Sequence, residues 1–439
     1  RLGPEGQEEE VTSTRIVATL GPVTSSPEKI AALVEAGVDV FRLNFSHGTH
    51  AQHGELIKTI RRLQVDRPVA ILQDLCGPKL RLTRPVKGVP GDIVEIDLPS
   101  SVKKGEPVLL ADGVMQLEVV DAKHCRVITA GDLPVGKGIN LPSSDLDIPS
   151  LTEKDRADLQ YGVSQQVDFV ALSFVRRASD LDEVKKCGIP VIAKIEKPEA
   201  VRRIEEIIRA SDGVMVARGD LGVEMTIERV QVVQKRVIAH AHRESKIVIT
   251  ATQMLRSMVD SPKPTRAEAT DVANAVLDGT DAVMLSEETA SGNYPVESVR
   301  MMVRILQEAE PLLAPRADLM GPDSADAIAH AACMLSEQVG ARAIVVLTGT
   351  GFTARKVACY RPRIPILVLT NSETVQRQLS LVWGVTTLPA PWFSETAPVL
   401  ERFRESLTGH VPAGSTVVVT AGWPFARPGT TNLVHVATV

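Results

Sequence analysis

Apolar and polar positions along the chain follow two alternating rhythms. Short runs rich in Val and Ile read as strands at Arg15–Leu20, Val38–Leu43, Pro68–Asp74, Val167–Ser173, Ile189–Ile195, Gly213–Ala217, Lys246–Thr250 and Ala282–Leu285. Between most of them lie stretches such as Pro27–Ala36 and Glu199–Arg209, whose apolar residues recur every three or four positions. That spacing lines one face of a helix. Strand and helix in strict alternation predict βα units around a parallel sheet, and eight such units predict a closed (β/α)8 barrel. No internal repeat or low-complexity segment interrupts the pattern.

Two stretches depart from it. Between Pro78 and Asp147 the helical spacing gives way to short alternating strands at Asp92–Asp97, Val114–Asp121 and Cys125–Thr129, punctuated by Gly, Pro, Asp and Ser. This reads as a small all-β insertion after the third strand, on the barrel's catalytic side, where it can serve as a lid. From Ala314 a Pro-, Gly- and Asp-marked linker leads into a helix ending near Gly340. Strands at Ala343–Leu347, Ile364–Leu369, Thr416–Thr420 and Asn432–Ala437 then predict an open α/β domain. The expected organisation is a tail over 1–10 and a barrel built from 11–77 and 147–313. A β lid spans 78–146 and a C-terminal α/β domain 314–439.

Composition narrows the class of protein. Apolar residues make up 44% and charged residues 23% of 439 positions, which excludes wholesale disorder. Aromatics are 3%, so the core must be aliphatic. With 49 basic and 54 acidic residues and no basic arm, neither nucleic acid nor an anionic membrane is an expected partner. No apolar run reaches the roughly 18 residues of a membrane span. The first residues do not read as a signal peptide, and the chain opens at Arg1 rather than Met, as a trimmed sequence would. Cys76, Cys125, Cys187, Cys333 and Cys359 share no metal-like spacing and point to free thiols in a reducing cytoplasm.

Function on a barrel of this kind sits at the C-terminal ends of the strands. Those positions hold Arg42 and Asn44, Asp74, Lys194 and Glu196, Arg218 and Asp220, Thr252, and Ser286 and Glu288. Any one alone is an ordinary ion-pair partner; polar groups from six of eight strands at one mouth make a site. Glu196 and Asp220 are carboxylates with no Cys or His beside them. Few, hard oxygen ligands suit magnesium, which keeps several waters and borrows the rest from a phosphate. Arg42 and Lys194 are cations beside that position, as a phosphorylated anion requires. The competing structural reading is that Lys194 and Glu196 merely pair with neighbours on their strand.

Two further signals carry less. His47, His50 and His53 form an H-x-x-H-x-x-H run, but the outer pair do not share a helix face, so zinc is not expected. Thr348, Gly349, Thr350, Gly351, Phe352 and Thr353 follow a strand and open a helix, in a G-x-G-x-x-A pattern completed by Ala354. A dinucleotide site also wants an acidic residue about 20 positions on, whereas the next strand ends Leu-Thr-Asn371. A loop holding one phosphate at a helix N-terminus fits better, with a plain Gly-rich turn as the alternative. No G-x-x-x-x-G-K-[ST] motif is present, which excludes a P-loop kinase.

From Thr14 onward the sequence resembles the pyruvate kinases. The stretches that carry the resemblance are TRIVATLGP (14–22), FRLNFSHG (41–48), DLCGPKLR (74–81), KGINLP (137–142), IAKIE (192–196), MVARGDLGVE (215–224), ATQM (251–254) and LSEETA (285–290). Such a resemblance implies a barrel with a β lid after its third strand and a C-terminal effector domain. It implies phosphoryl transfer between phosphoenolpyruvate and ADP, giving pyruvate and ATP. Glu196 and Asp220 would hold Mg2+ (or Mn2+), with Lys194 and Arg42 on the transferring phosphoryl. Gly219, Asp220 and Thr252 would meet the substrate. Asn44, Ser46, His47, Arg81 and Lys137 match nucleotide-side positions, the last two in the lid. Thr252, Ser286 and Glu288 lie by motif near the face where the enolate is protonated.

The resemblance also implies a homotetramer activated by a phosphorylated effector, a sugar phosphate or nucleotide monophosphate, bound at Thr348–Thr353. Relatives can hold K+ through groups matching Asn44, Ser46, Asp74 and the Leu75 carbonyl, and those that need it carry Glu where this chain has Lys79. The lysine is expected to replace the ion, so that K+ is not required; the alternative is that Lys79 is a solvated hinge residue of the lid. Two departures stand out: the lid is shorter than usual, and Glu287 replaces a residue that is small in many relatives. The rival readings are a magnesium-enolate lyase or aldolase on the same barrel and a non-catalytic sugar-phosphate sensor.

Overall fold

Both faces of the barrel strands are buried, which is why they read as continuous apolar runs. In Arg15–Thr19 all five residues are buried. Val17 joins the core inside the barrel, and Ile16 and Ala18 pack outward against the helices. The computed structural model describes residues 12–144, 148–316, 319, 321, 323–390, 405–423 and 429–439. It closes eight parallel strands into a barrel: Arg15–Thr19, Val40–Asn44, Ala70–Asp74, Phe169–Leu172, Val191–Ile195, Gly213–Ala217, Ile247–Ala251 and Ala282–Leu285.

Several strands start later than the apolar pattern predicts. Val38 and Val167 donate their N–H groups back to Leu33 and Gly162, finishing the preceding helix before the ladder begins. The helix expected over Glu199–Arg209 is two helices, Pro198–Arg202 and Ile204–Ala210, because Arg203 leaves helical geometry at φ −110°, ψ 24°.

One device recurs at the N-terminal ends of the strands. Asp39, Asp168, Asp212 and Asp281 each stand immediately before the second, fourth, sixth and eighth strand. Each carboxylate accepts the N–H of Ile16, Ile71, Val191 or Val248 on the preceding strand, at 2.8–2.9 Å. Three of them also meet arginines: Asp39 with Arg67, Asp168 with Arg61 and Arg377, and Asp281 with Arg361.

The insertion after the third strand is all β. A five-stranded antiparallel sheet orders Ile139–Asn140, Pro107–Leu110, Met115–Val119, His124–Val127 and Ile93–Glu95, beside a ribbon of Val86–Gly88 with Gly131–Leu133. Its core of Leu82, Val108, Leu117 and Val127 is separate from that of the barrel. The C-terminal sheet runs Val385–Pro389, Ile366–Thr370, Ile344–Leu347, Thr416–Ala421 and Leu433–Thr438, with only the last strand antiparallel. Val385–Pro389 was not expected, because Thr386, Thr387 and Pro389 dilute its apolar signal. This domain docks on the barrel's N-terminal end. Arg15 donates to the Val382 carbonyl, and Arg377 and Arg361 reach Asp168 and Asp281. Among the described residues no helix is long and apolar enough to cross a membrane.

Candidate active site

The opposite, C-terminal ends of the strands gather the charges. Lys194 leaves the fifth strand and is buried, with its ammonium 2.8 Å from Ser173 Oγ, 2.9 Å from Glu196 Oε1 and 3.3 Å from Asp74 Oδ1. Burial opposes that charge, but Asp74 and Glu196 outweigh it and hold the ammonium above its ordinary range. Arg42 donates through Nε to Asp74 Oδ2 at 2.6 Å and through Nη1 to Thr19 Oγ1 at 3.1 Å. Burial pushes the Asp74 carboxyl up, yet Lys194 and Arg42 together bring it below the usual carboxylate range. It is therefore ionised at neutral pH and fixes both cations.

Glu196 accepts the Phe174 N–H at 2.8 Å, and Asp220 sits in the first turn of the helix Arg218–Glu224. Burial, helped by the charge of Asp220, raises the Glu196 pKa against the pull of Lys194. The charge of Asp220 thus reaches Glu196 and sets two carboxylates near one another at the mouth. Lys79, from the lid hinge, places its ammonium 3.7 Å from Asp220 Oδ1.

Opposite them, Thr252 and Gln253 hold left-handed backbone at φ +70° and +56°. Thr252 Oγ1 accepts the Gly219 N–H at 2.6 Å and lies the same distance from the Ala251 carbonyl. A Cβ at Gly219 would lie 3.4 Å from that hydroxyl, in ordinary van der Waals contact. Backbone strain at such a place is a mark of a functional site.

Known proteins resemble the chain over nearly its whole length. The family model "Pyruvate kinase, barrel domain" matches residues 11–96 and 91–299, and "Pyruvate kinase, alpha/beta domain" matches 326–437. Pyruvate kinase 2 of Synechocystis sp. is 44% identical over 97% of this chain and 79% of its own length. The pyruvate kinase of Geobacillus stearothermophilus is 43% identical over 96% and 80%. That of Staphylococcus aureus is 41% identical over the same shares. The chain belongs to the pyruvate kinase family. It is a phosphotransferase, and the pyruvate kinase family generally uses Mg2+.

The donor set fits that metal. Among the described residues no group of three or more His, Cys, Asp or Glu converges. A hard cation held by Glu196 and Asp220 would take most of its ligands from water and substrate.

The other candidate residues have their own partners in the structure. Glu288 is buried, and its two oxygens accept the N–H groups of Leu255 and Ser286 at 3.1 and 2.7 Å. It staples the ends of the seventh and eighth strands, with one backbone N–H on each oxygen. Arg218 lies behind the mouth, where it binds Asp271 and the Ala251 and Thr252 carbonyls, bracing the strained turn. Ser286 Oγ, by contrast, is buried without a hydrogen-bond partner. Asn44 Oδ1 accepts the Ser46 N–H, and the His47 carbonyl faces His53 Nε2 at 2.9 Å. His53 stacks on Phe45 and His50 pairs with Asp158, so this histidine run serves the helix start. Arg81 donates to the Gly136 carbonyl beside the exposed Lys137. The Leu75 carbonyl accepts Ser173 Oγ at 2.7 Å, and the ion-pair partner of Lys79 is Asp220 rather than Asp74.

In the C-terminal domain, Thr348 Oγ1 accepts the N–H groups of Thr350 and Gly351. Thr353 is buried against Thr431 at 2.7 Å. Gly349 and Thr350 are exposed, and Gly351, at φ +76°, starts the helix Phe352–Ala358. Glu287 pairs with Arg256 on the surface at 2.9 Å. Sequence reasoning missed Ser173 and Thr19, which orient Lys194 and Arg42. Both end the strands predicted for them or lie one residue short of that end.

Proposed function

We propose that this protein transfers the phosphoryl group of phosphoenolpyruvate to ADP, yielding pyruvate and ATP. The observation that carries the reading is the Lys194 ammonium, oriented by Ser173, Asp74 and Glu196 beside a two-carboxylate cation seat. In the reaction the enol oxygen–phosphorus bond breaks, a bond from phosphorus to an ADP oxygen forms, and the enolate takes a proton at carbon. Glu196 and Asp220 would hold Mg2+, or Mn2+, which supplies charge neutralisation for the phosphate and enol oxygens. Lys194 and Arg42 stabilise the loose, anionic phosphoryl in flight. Gly219 N–H and Thr252 Oγ1, bonded to each other here, turn to the substrate carboxylate. The unpartnered Ser286 hydroxyl suits a proton relay to the enolate carbon. Asn44, Ser46 and His47 meet the nucleotide from the barrel, and Arg81 and Lys137 from the lid.

The same reading gives a cytoplasmic homotetramer. It also gives a phosphorylated effector at Thr348–Thr353, whose loop N–H groups exchange Thr348 Oγ1 for the phosphate. Titrating sugar phosphates and nucleoside monophosphates into the assay tests that part.

The deciding experiment is Mg2+-dependent formation of pyruvate from phosphoenolpyruvate, with and without ADP. Product only with ADP supports the kinase; ADP-independent breakdown indicates the lyase, and no turnover by folded protein the sensor. The rate should be unchanged when K+ is replaced by a bulky organic cation, since Lys79 already brings a positive charge to the acidic cluster. A Lys79→Glu variant should then require K+. Strong stimulation of the unaltered enzyme by K+ would overturn that part.

A further inference from the structure

Glu224 ends the helix whose first turn carries Asp220. Its side chain is fully buried. Two donors converge on one of its oxygens: Lys197 Nζ at 2.5 Å and Asn140 Nδ2 at 2.9 Å. Asn140 belongs to the lid sheet and Lys197 follows the fifth barrel strand, next to Glu196. The Lys197 ammonium also lies 5.9 Å from the centre of the Phe174 ring. Phe174, at φ +56°, is the residue whose N–H holds Glu196. Its ring packs where the chain leaves the barrel for the lid, since a Cβ on Gly77 would come 2.9 Å from Phe174 Cδ2. The outgoing side of the lid therefore touches Phe174, the returning side touches Glu224, and Lys197 spans the two.

A buried ion pair is rarely the best way to stabilise an interior, and its attested use is to specify one arrangement over others. Here the arrangement is that of the lid over the two metal carboxylates. The cluster is also unsaturated: Glu224 Oε2 and Asn140 Oδ1 are buried without donors. A network with spare acceptors can be remade when the lid moves, whereas a saturated one cannot.

We infer that the Lys197–Glu224 pair, read by the lid through Asn140, is the latch that sets the lid against the Glu196–Asp220 seat. Glu224 is thus a positioning residue for the nucleotide. This rests on the reading that Arg81 and Lys137 of the lid meet ADP.

Asn140→Ala cuts the lid's bond and leaves the ion pair intact, so no charge is stranded. It should raise KM for ADP about tenfold, the worth of one charge-assisted hydrogen bond. The change in kcat should stay below about threefold. Lys197→Met should act in the same direction. Because both work through Glu224, the double variant should be no worse than the more severe single one. Hydrogen exchange on the full chain without substrate should quicken across 78–141 in Asn140→Ala and stay unchanged in the barrel strands. An unmoved KM for ADP, additive effects, or acceleration spread through the barrel would each overturn the latch. The exchange measurement needs no turnover, so it judges the latch even if the chain proves inactive with ADP.

Discussion

The two ends of the barrel carry similar acidic residues and use them in opposite ways. At the N-terminal end, Asp39, Asp168, Asp212 and Asp281 each take a ladder N–H, and three of them also take an arginine. Each is thereby tied to a backbone group that the sheet itself holds in place. At the C-terminal end, Asp74 and Glu196 are partnered chiefly by the flexible cations Arg42 and Lys194. Those cations can reorient toward an anionic substrate without unpicking the sheet. What separates a structural carboxylate from a functional one here is the partner, not the exposure. Glu288 shows it: it lies at the functional end but is wired to two backbone N–H groups like an aspartate of the other end.

The sharpest way to break the comparison is to remove one charge from each end. Lys194→Met should lower kcat by on the order of 10²–10³-fold or more, with a smaller change in KM for phosphoenolpyruvate. Steady-state kinetics at saturating Mg2+ checks it, and near-normal turnover would put Lys194 with the structural charges. Arg361→Met should do the reverse. It strands Asp281 in the interior, a loss of about 3 kcal/mol measured by denaturant unfolding. The folded variant should keep kcat within about twofold.

A subtler effect comes from His242, which lies between Arg361 and Arg316. Burial, and then the charge of Arg361, pushes its pKa from 6.5 down to about 3. Between those values the unfolded chain binds a proton that the folded chain refuses, so stability falls as the pH drops through this window. His242→Gln should flatten that fall by up to about 1.4 kcal/mol per pH unit. Parallel slopes for the two proteins in denaturation series from pH 7 to 4 would contradict it.

Much of this molecule was legible from its residues. The barrel followed from eight apolar runs, and the site from the rule that strand ends carry function, which places Arg42, Asp74, Lys194, Glu196, Asp220 and Thr252 at one mouth. Direction was not legible. Nothing in the order of residues says that Glu288 turns to the Leu255 and Ser286 N–H groups, or that Arg218 points back to Asp271. Nor does it say that the hydroxyls of Ser173 and Thr19 turn to Lys194 and Arg42. Strand starts are blurred in the sequence because an apolar residue such as Val38 can close a helix as readily as open a ladder. The four aspartates stand in plain view, each directly before an apolar run, but their common task shows only once the neighbouring N–H groups are in place.

Those aspartates join the strands in pairs, first to second, third to fourth, fifth to sixth and seventh to eighth. In sequence, three of the joints span 23, 21 and 33 residues, while the one from Ile71 to Asp168 spans 97 because the lid lies inside it. Closing the longer loop costs about 1 kcal/mol more entropy. The barrel is therefore expected to assemble with one late seam: three local βαβ units form early, and the third-to-fourth joint waits for the inserted domain to collapse. In pulse-labelled refolding the Ile71 amide should gain protection after those of Ile16, Val191 and Val248. Simultaneous protection would mean that the inserted domain imposes no delay on the closure of its host.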